Sequence, residues 1–154
     1  MLHIALFEPE IPPNTGNIMR LCANTGCTLH LVEPLGFSLD DRQLRRAGLD
    51  YREYARVRTH PSFAALLEAL APPHCWALTT RGSRHYTQVR YAPGDLLLFG
   101  PETRGLPPSL LAELGAERCL RIPMLPDSRS LNLSNAAALV AYEGLRQLGF
   151  PGLG

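Results

Sequence analysis

Three stretches of this sequence hold side chains whose types and spacing could do chemistry. In "NTGNIMRLCANTG", Asn14, Thr15, Gly16 and Asn17 crowd the start of a helical pattern, with Arg20 one turn along. Asn17 and Arg20 lie three apart and share a helix face, so both can point at one ligand. A helix N-terminus with glycine invites phosphate, although a salt-bridged surface arginine fits the same spacing. In "LLLFGPETRGLP", Gly100 follows an apolar run directly, Pro101 stiffens the exit and Gly105 is free to adopt positive φ. The result is a preset cup whose Glu102 and Arg104 can pair with each other, with a ligand or with another part of the chain. In "IPMLPDSRSLNLSNAAALVAYEGL", Ser130, Asn132, Ser134 and Asn135 crowd the start of a long helix. Four polar groups exceed what one cap needs, so capping and ligand binding are both expected there.

Other chemistries lack their signals. There is no GxGxxG after the first strand, no GxxxxGK[ST], no HExxH and no GxSxG. Cys22, Cys27, Cys75 and Cys119 form no CxxC pair and sit in or beside apolar segments, so they read as reduced core residues and no metal site is expected. His3 and His30 alternate within strand patterns and read as core or edge residues. His85, flanked by Arg84 and Tyr86 in a polar stretch, is the better candidate for touching substrate.

The elements that position these groups follow from periodicity. "LHIALF", "TLHLVE", "YARVR", "CWALTT", "DLLLFG" and "CLRIP" read as strands. Helical patterns separate them, one Arg-rich from Asp40, one in "PSFAALLEALA", one in "PPSLLAELG" and a last from about Asn132 to Leu148. "RGSRHYTQVRYAPG" reads as a polar, mobile loop. Strands alternating with helices imply an α/β fold, a mostly parallel sheet with helices on both faces. In such sheets ligands sit beyond the strands' carboxyl ends.

The 154 residues suit a single domain, 1–154. No apolar run approaches the ~20 residues of a membrane span and the start lacks a basic signal region, so no membrane partner and a cytoplasmic location are expected. The net charge of +1 conceals that all fifteen cations are arginine, nine of them between Arg42 and Arg90 against only Asp50, Glu53 and Glu68. Arginine forks suit phosphate, so this stretch could hold a polyanion or serve simply as a solvated face.

Taken together, "NTGNIMRLCANTG", "LFGPETRGLP" and "IPM" followed by "RSLNLSNAAALVAYE" resemble the SPOUT (SpoU-type) superfamily of S-adenosylmethionine-dependent RNA methyltransferases. The likeness is greatest to small bacterial members that methylate the ribose 2′-OH of the tRNA wobble nucleotide, cytidine or uridine. The resemblance implies a C-terminal deep trefoil knot, a homodimer, and S-adenosyl-L-methionine as cofactor with S-adenosyl-L-homocysteine as product. It implies a cofactor lining of Leu78, Thr79, Gly100, Glu102, Ile122, Met124, Ser130, Leu131 and Ser134. It makes Arg20 and Asn14 the catalytic pair, with Asn132 and Tyr142 positioning substrate. Lacking an added RNA domain, the dimer would grip the tRNA anticodon stem-loop through Arg42, Arg45, Arg46, Arg81, Arg84, His85 and Tyr86. Methylation of another tRNA or ribosomal RNA nucleotide, a catalytically silent RNA-binding dimer, and a generic nucleotide-dependent α/β enzyme are the rival expectations.

Overall fold

The computed structural model describes residues 1–154 apart from the Asp41 side chain. Seven strands, β1 (His3–Phe7), β2 (Thr28–Val32), β3 (Arg58–His60), β4 (Cys75–Leu78), β5 (Arg84–His85), β6 (Leu96–Phe99) and β7 (Cys119–Arg121), form one sheet. Their order is β3-β2-β1-β6-β4-β7-β5 and every pairing is parallel. The helices are α1 (Pro12–Thr25), α2 (Asp41–Arg46), α3 (Tyr51–Tyr54), α4 (Phe63–Leu70), α5 (Pro108–Leu114) and α6 (Leu133–Gln147), with a 3₁₀ turn at Ala116–Arg118.

The near-continuous apolar strands are those of a sheet covered on both faces, and the two-residue alternation sorts their side chains. Ile4, Leu6, Leu29, Leu31, Trp76, Leu78, Leu97, Phe99 and Leu120 join one core with Ile18 and Met19 of α1 and Val140, Ala141 and Leu145 of α6. Ala5, Val32, Cys75, Ala77, Leu96, Leu98 and Cys119 join the other, against Leu66 of α4 and Leu110 of α5. All four cysteines are buried and free. Among the described residues no helix is long and apolar enough to cross a membrane.

Two sequence expectations need correction. "YARVR" is not a strand: the chain turns through it and extends only at Arg58–His60, because α3, opened by an Asp50–Glu53 capping box, runs into its first residue, Tyr54. "RGSRHYTQVRYAPG" is held rather than loose. It contains β5, and Val89 and Tyr91 are buried in the core, with Tyr91 N–H donating to Gln147 Oε1 at 2.9 Å.

β7 lies between β4 and β5, which are themselves joined by residues 79–83, so that link crosses β7. The crossing is close enough that a Cβ on Gly82 would run into the Leu120 carbonyl carbon and oxygen, which explains glycine there. At the opposite end of β6, Asp95 is fully buried and accepts from Trp76 Nε1, the Ala92 N–H and His74 Nδ1 at 2.8–2.9 Å. A buried carboxylate with three donors is stable where an unpaired one is not.

A second polar ladder links the strands on the face opposite Leu29 and Leu31. His3 Nδ1 meets His30 Nε2 at 3.0 Å and His30 Nδ1 meets His60 Nε2 at 2.9 Å. Burial, then the neighbouring imidazoles, pushes the His30 pKa down to about 4; burial also lowers those of His3 and His60. Between that value and the ordinary imidazole pKa the unfolded chain binds a proton the fold refuses, so stability falls as pH drops through this window. For His30 alone the loss by pH 5 is about 2 kcal/mol. Thermal unfolding at pH 7.5 and pH 5 checks this: His30→Gln should show a smaller drop in Tm than the parent, and an equal drop would show that the ladder does not set acid sensitivity.

Candidate functional site

The sheet order makes β1, β6, β4 and β7 consecutive neighbours, so the loops leaving their carboxyl ends must converge. What locks them is a chain of side-chain hydrogen bonds. α1 begins at Ile11 with no side-chain cap of its own, and prolines follow at positions 12 and 13. The cap comes instead from the loop after β6: Glu102 accepts from the Glu10 N–H at 2.9 Å and the Ile11 N–H at 2.8 Å. A carboxylate at a helix N-terminus also meets the positive end of the dipole. Asn14 Nδ2 donates to the same Glu102 carboxylate at 3.3 Å, while Asn14 Oδ1 accepts from Asn132 Nδ2 at 3.0 Å. Asn132 Oδ1 in turn caps α6, accepting from the Ser134 and Asn135 N–H groups and from Ser134 Oγ. The three sequence stretches are thus tied through Glu102, Asn14 and Asn132.

A reciprocal latch closes the other side. Glu10 Oε1 accepts from the Thr103 N–H at 2.9 Å and from Thr103 Oγ1 at 2.7 Å, which lowers the Glu10 pKa, and Arg104 reaches Glu8 at 3.3 Å. Of the three partners open to Glu102 and Arg104 from sequence, the structure selects another part of the chain. Gly100 makes the turn compact, since a Cβ there would overlap the Gly105–Leu106 peptide.

These loops enclose a cavity of about 480 Å³. Leu78, Thr79, Gly100, Glu102, Ile122, Met124, Ser130 and Leu131 of the expected cofactor lining border it, as do Asn14, Asn132 and Arg81. Ser134 does not; its hydroxyl is spent on Asn132 in the helix cap. Glu102 lines the cavity, but both of its oxygens are engaged by Asn14 of α1 and the two residues just before the helix, so its visible work is to hold the wall. The remaining lining combines apolar surface with a few hydroxyls and backbone turns, suited to a flat ligand with apolar faces and a polar edge. Among the described residues no cluster of His, Cys, Asp and Glu could hold a metal ion.

Arg20 stands elsewhere. Its Nε donates to Glu53 Oε2 at 2.8 Å and an Nη to the Gly48 carbonyl at 2.9 Å, and it borders a second cavity on the other side of the first turns of α1. The Glu53 hydrogen bond raises its pKa above the ordinary arginine value, so it is held as a cation and is no proton acceptor in this arrangement. Arg42, Arg45 and Arg46 are exposed on α2. Arg84 donates to the Glu117 carbonyl, His85 Nε2 meets an Arg121 Nη at 3.2 Å, and Tyr86 is half-buried; none of the three borders the first cavity. Tyr142 lies on the outer side of α6, 45% exposed and beside Phe150.

Sequence reasoning missed the Glu8–Glu10 half of the latch and the second cavity. "FEPEIPPN" carried the signal for the first: two glutamates ahead of an uncapped Pro-Pro helix start require partners from another segment. The second depends on how α2 is laid against α1, which no local pattern encodes.

Comparison with known proteins agrees with this geometry. Residues 1–142 match the model of the SpoU rRNA methylase family. The chain is 61% identical over 152 residues to the tRNA (cytidine(34)-2′-O)-methyltransferase of Escherichia coli K12, covering 99% of this chain and 97% of that one. A putative RNA methyltransferase from Bacillus anthracis superposes with a TM-score of 0.93 at 46% identity, covering 99% and 98% of the two chains. A structure described as giving insights into the 2-OH methylation of C/U34 on tRNA superposes with a TM-score of 0.86 at 48% identity, with 97% of both chains covered. With its sheet, its convergent loops and the match across nearly all of its length, the chain belongs to the SpoU rRNA methylase family.

Proposed function

We propose that this chain transfers a methyl group from S-adenosylmethionine to the ribose 2′-OH of the wobble nucleotide, C or U34, of tRNA. The observation that carries this reading is the single cavity into which the Glu102–Asn14–Asn132 relay gathers the three stretches. Its chemistry fits the cofactor: Leu78, Ile122 and Leu131 offer apolar surface for a base's faces, and Thr79 and Ser130 offer hydroxyls at its edge. When bound, the cofactor supplies an electrophilic sulfonium methyl with a good thioether leaving group.

The protein's remaining tasks are orientation and charge. Leu78, Gly100, Ile122 and Ser130 hold the donor, while Asn132 and Asn14 fix the loops around it. Arg20, a permanent cation, exchanges Glu53 for the RNA phosphate and stabilises the oxyanion developing on O2′. The 2′-OH proton leaves to phosphate or water. Arg42, Arg45, Arg46, Arg81, Arg84, His85 and Tyr86 grip the anticodon stem-loop, and Tyr142 orients the substrate or the partner chain.

The same reading takes residues 1–154 as one cytoplasmic domain. The crossing of residues 79–83 over β7 supports a C-terminal trefoil knot. The outer side of α6, where Leu139 is 44% and Tyr142 45% exposed near Phe150, supports a homodimer. Sedimentation should give the mass of two chains, and Leu139→Glu combined with Tyr142→Glu should give one; a wild-type monomer would remove the dimer from this account.

The reaction itself is tested by methylating tRNA transcripts carrying cytidine or uridine at the wobble position. Arg20→Ala should lower the yield of 2′-O-methyl product about 100-fold or more while S-adenosylhomocysteine binding persists. Full activity in Arg20→Ala contradicts the mechanism, and no micromolar binding of S-adenosylhomocysteine to the wild type would leave a silent RNA-binding protein.

A further inference from the structure

The second cavity, about 300 Å³, lies between α1, the segment 37–39 and α2, and has no part in the cofactor lining described above. Met19, Phe37, Leu39 and Leu44 give it apolar walls, and Gln43 and Arg20 bring polar groups to it from opposite sides. The Gln43 side chain has no hydrogen-bond partner among the described residues; only its backbone is used, in the helix cap. Thr15, in the same wall, has a buried hydroxyl with no partner among the described residues. Beside Gln43, Arg42, Arg45 and Arg46 are exposed and form no ion pair among the described residues.

A slot with an aromatic wall, a free amide and a border of cations matches a single nucleotide: a base within, phosphates outside. Single-stranded RNA is recognised by splaying its bases onto aromatic surfaces and reading their edges. The first turns of α1 wall both cavities, Asn14 on one side and Thr15 and Arg20 on the other. Neighbouring residues of one helix start, Asn14 and Thr15, thus set the two cavities next to each other.

We propose that the second cavity takes the base of the methylated nucleotide and that Gln43 reads its 4-position, which makes Gln43 the residue that admits both pyrimidines. This rests on the wobble-nucleotide reading above. Cytosine offers an amino donor at that position and uracil a carbonyl acceptor. A carboxamide supplies either complement by rotating half a turn, because one end donates and the other accepts. A carboxylate only accepts and an ammonium only donates, so either would choose one base. The exposure of Gln43 lets these exchanges be made without disturbing the core.

The test compares kcat/KM on two tRNA transcripts that differ only in cytidine or uridine at the wobble position, for the wild type, Gln43→Glu and Gln43→Lys. S-adenosylhomocysteine affinity and melting are measured on each. Gln43→Glu should shift the cytidine-to-uridine ratio toward cytidine by about tenfold or more, and Gln43→Lys should shift it toward uridine by a similar factor. S-adenosylhomocysteine affinity should not move, since Gln43 is outside the first cavity. An unchanged ratio in both variants, or an equal loss on both transcripts, overturns the proposal and assigns the cavity to another part of the RNA or to a partner chain. Failure of the wild type to methylate either transcript would instead defeat the wobble-nucleotide reading.

Discussion

One carboxylate, that of Glu102, joins segments that are about ninety residues apart in sequence. It caps a helix that cannot cap itself and receives the Asn14 amide, whose other end receives Asn132. Each group in this relay is both structural and local to the cavity. The Asn14 and Asn132 orientations are fixed because each amide must present its oxygen one way and its nitrogen the other. Loops at the ends of parallel strands are free to move independently; here they are made into one wall.

The relay works because the sheet has already brought its ends within reach. With β1, β6, β4 and β7 side by side, the segments after them share one edge, and the close passage of Gly82 over β7 pins the fourth to the rest. The two sides of the first turns of α1 then border different cavities. One faces the cavity proposed for the methyl donor; the other, carrying Arg20, faces the slot proposed for the acceptor nucleotide. A single rigid helix start is a physical means of holding two reactants in register, which is the larger part of catalysing a displacement that needs little acid–base help.

Much of this was legible in the residues. The apolar strands, the helical periods and the polar starts of α1 and α6 follow from spacing, and the three stretches that carry the resemblance border one cavity. The sequence could not show that Glu102 turns inward to cap α1, since a Gly-Pro loop with both charges permits several partners. Nor could it show that Ser134 is consumed by Asn132, or that Arg20 pairs with Glu53 from α3, whose place is set by packing rather than by any local motif. β3 was misplaced for the same reason: its three residues lack the apolar alternation that marks a buried strand, and only pairing to β2 makes them one.

The central claim is that Glu102 and Asn132 act on the cofactor cavity as two ends of one relay. Calorimetric titration with S-adenosylhomocysteine across the wild type, Glu102→Gln, Asn132→Asp and the double variant measures it. Each single change should weaken binding by about tenfold or more, and the double variant should bind no worse than the weaker single. Unchanged affinity, or losses that multiply, would mean that the two residues act separately and that the cavity does not depend on their connection.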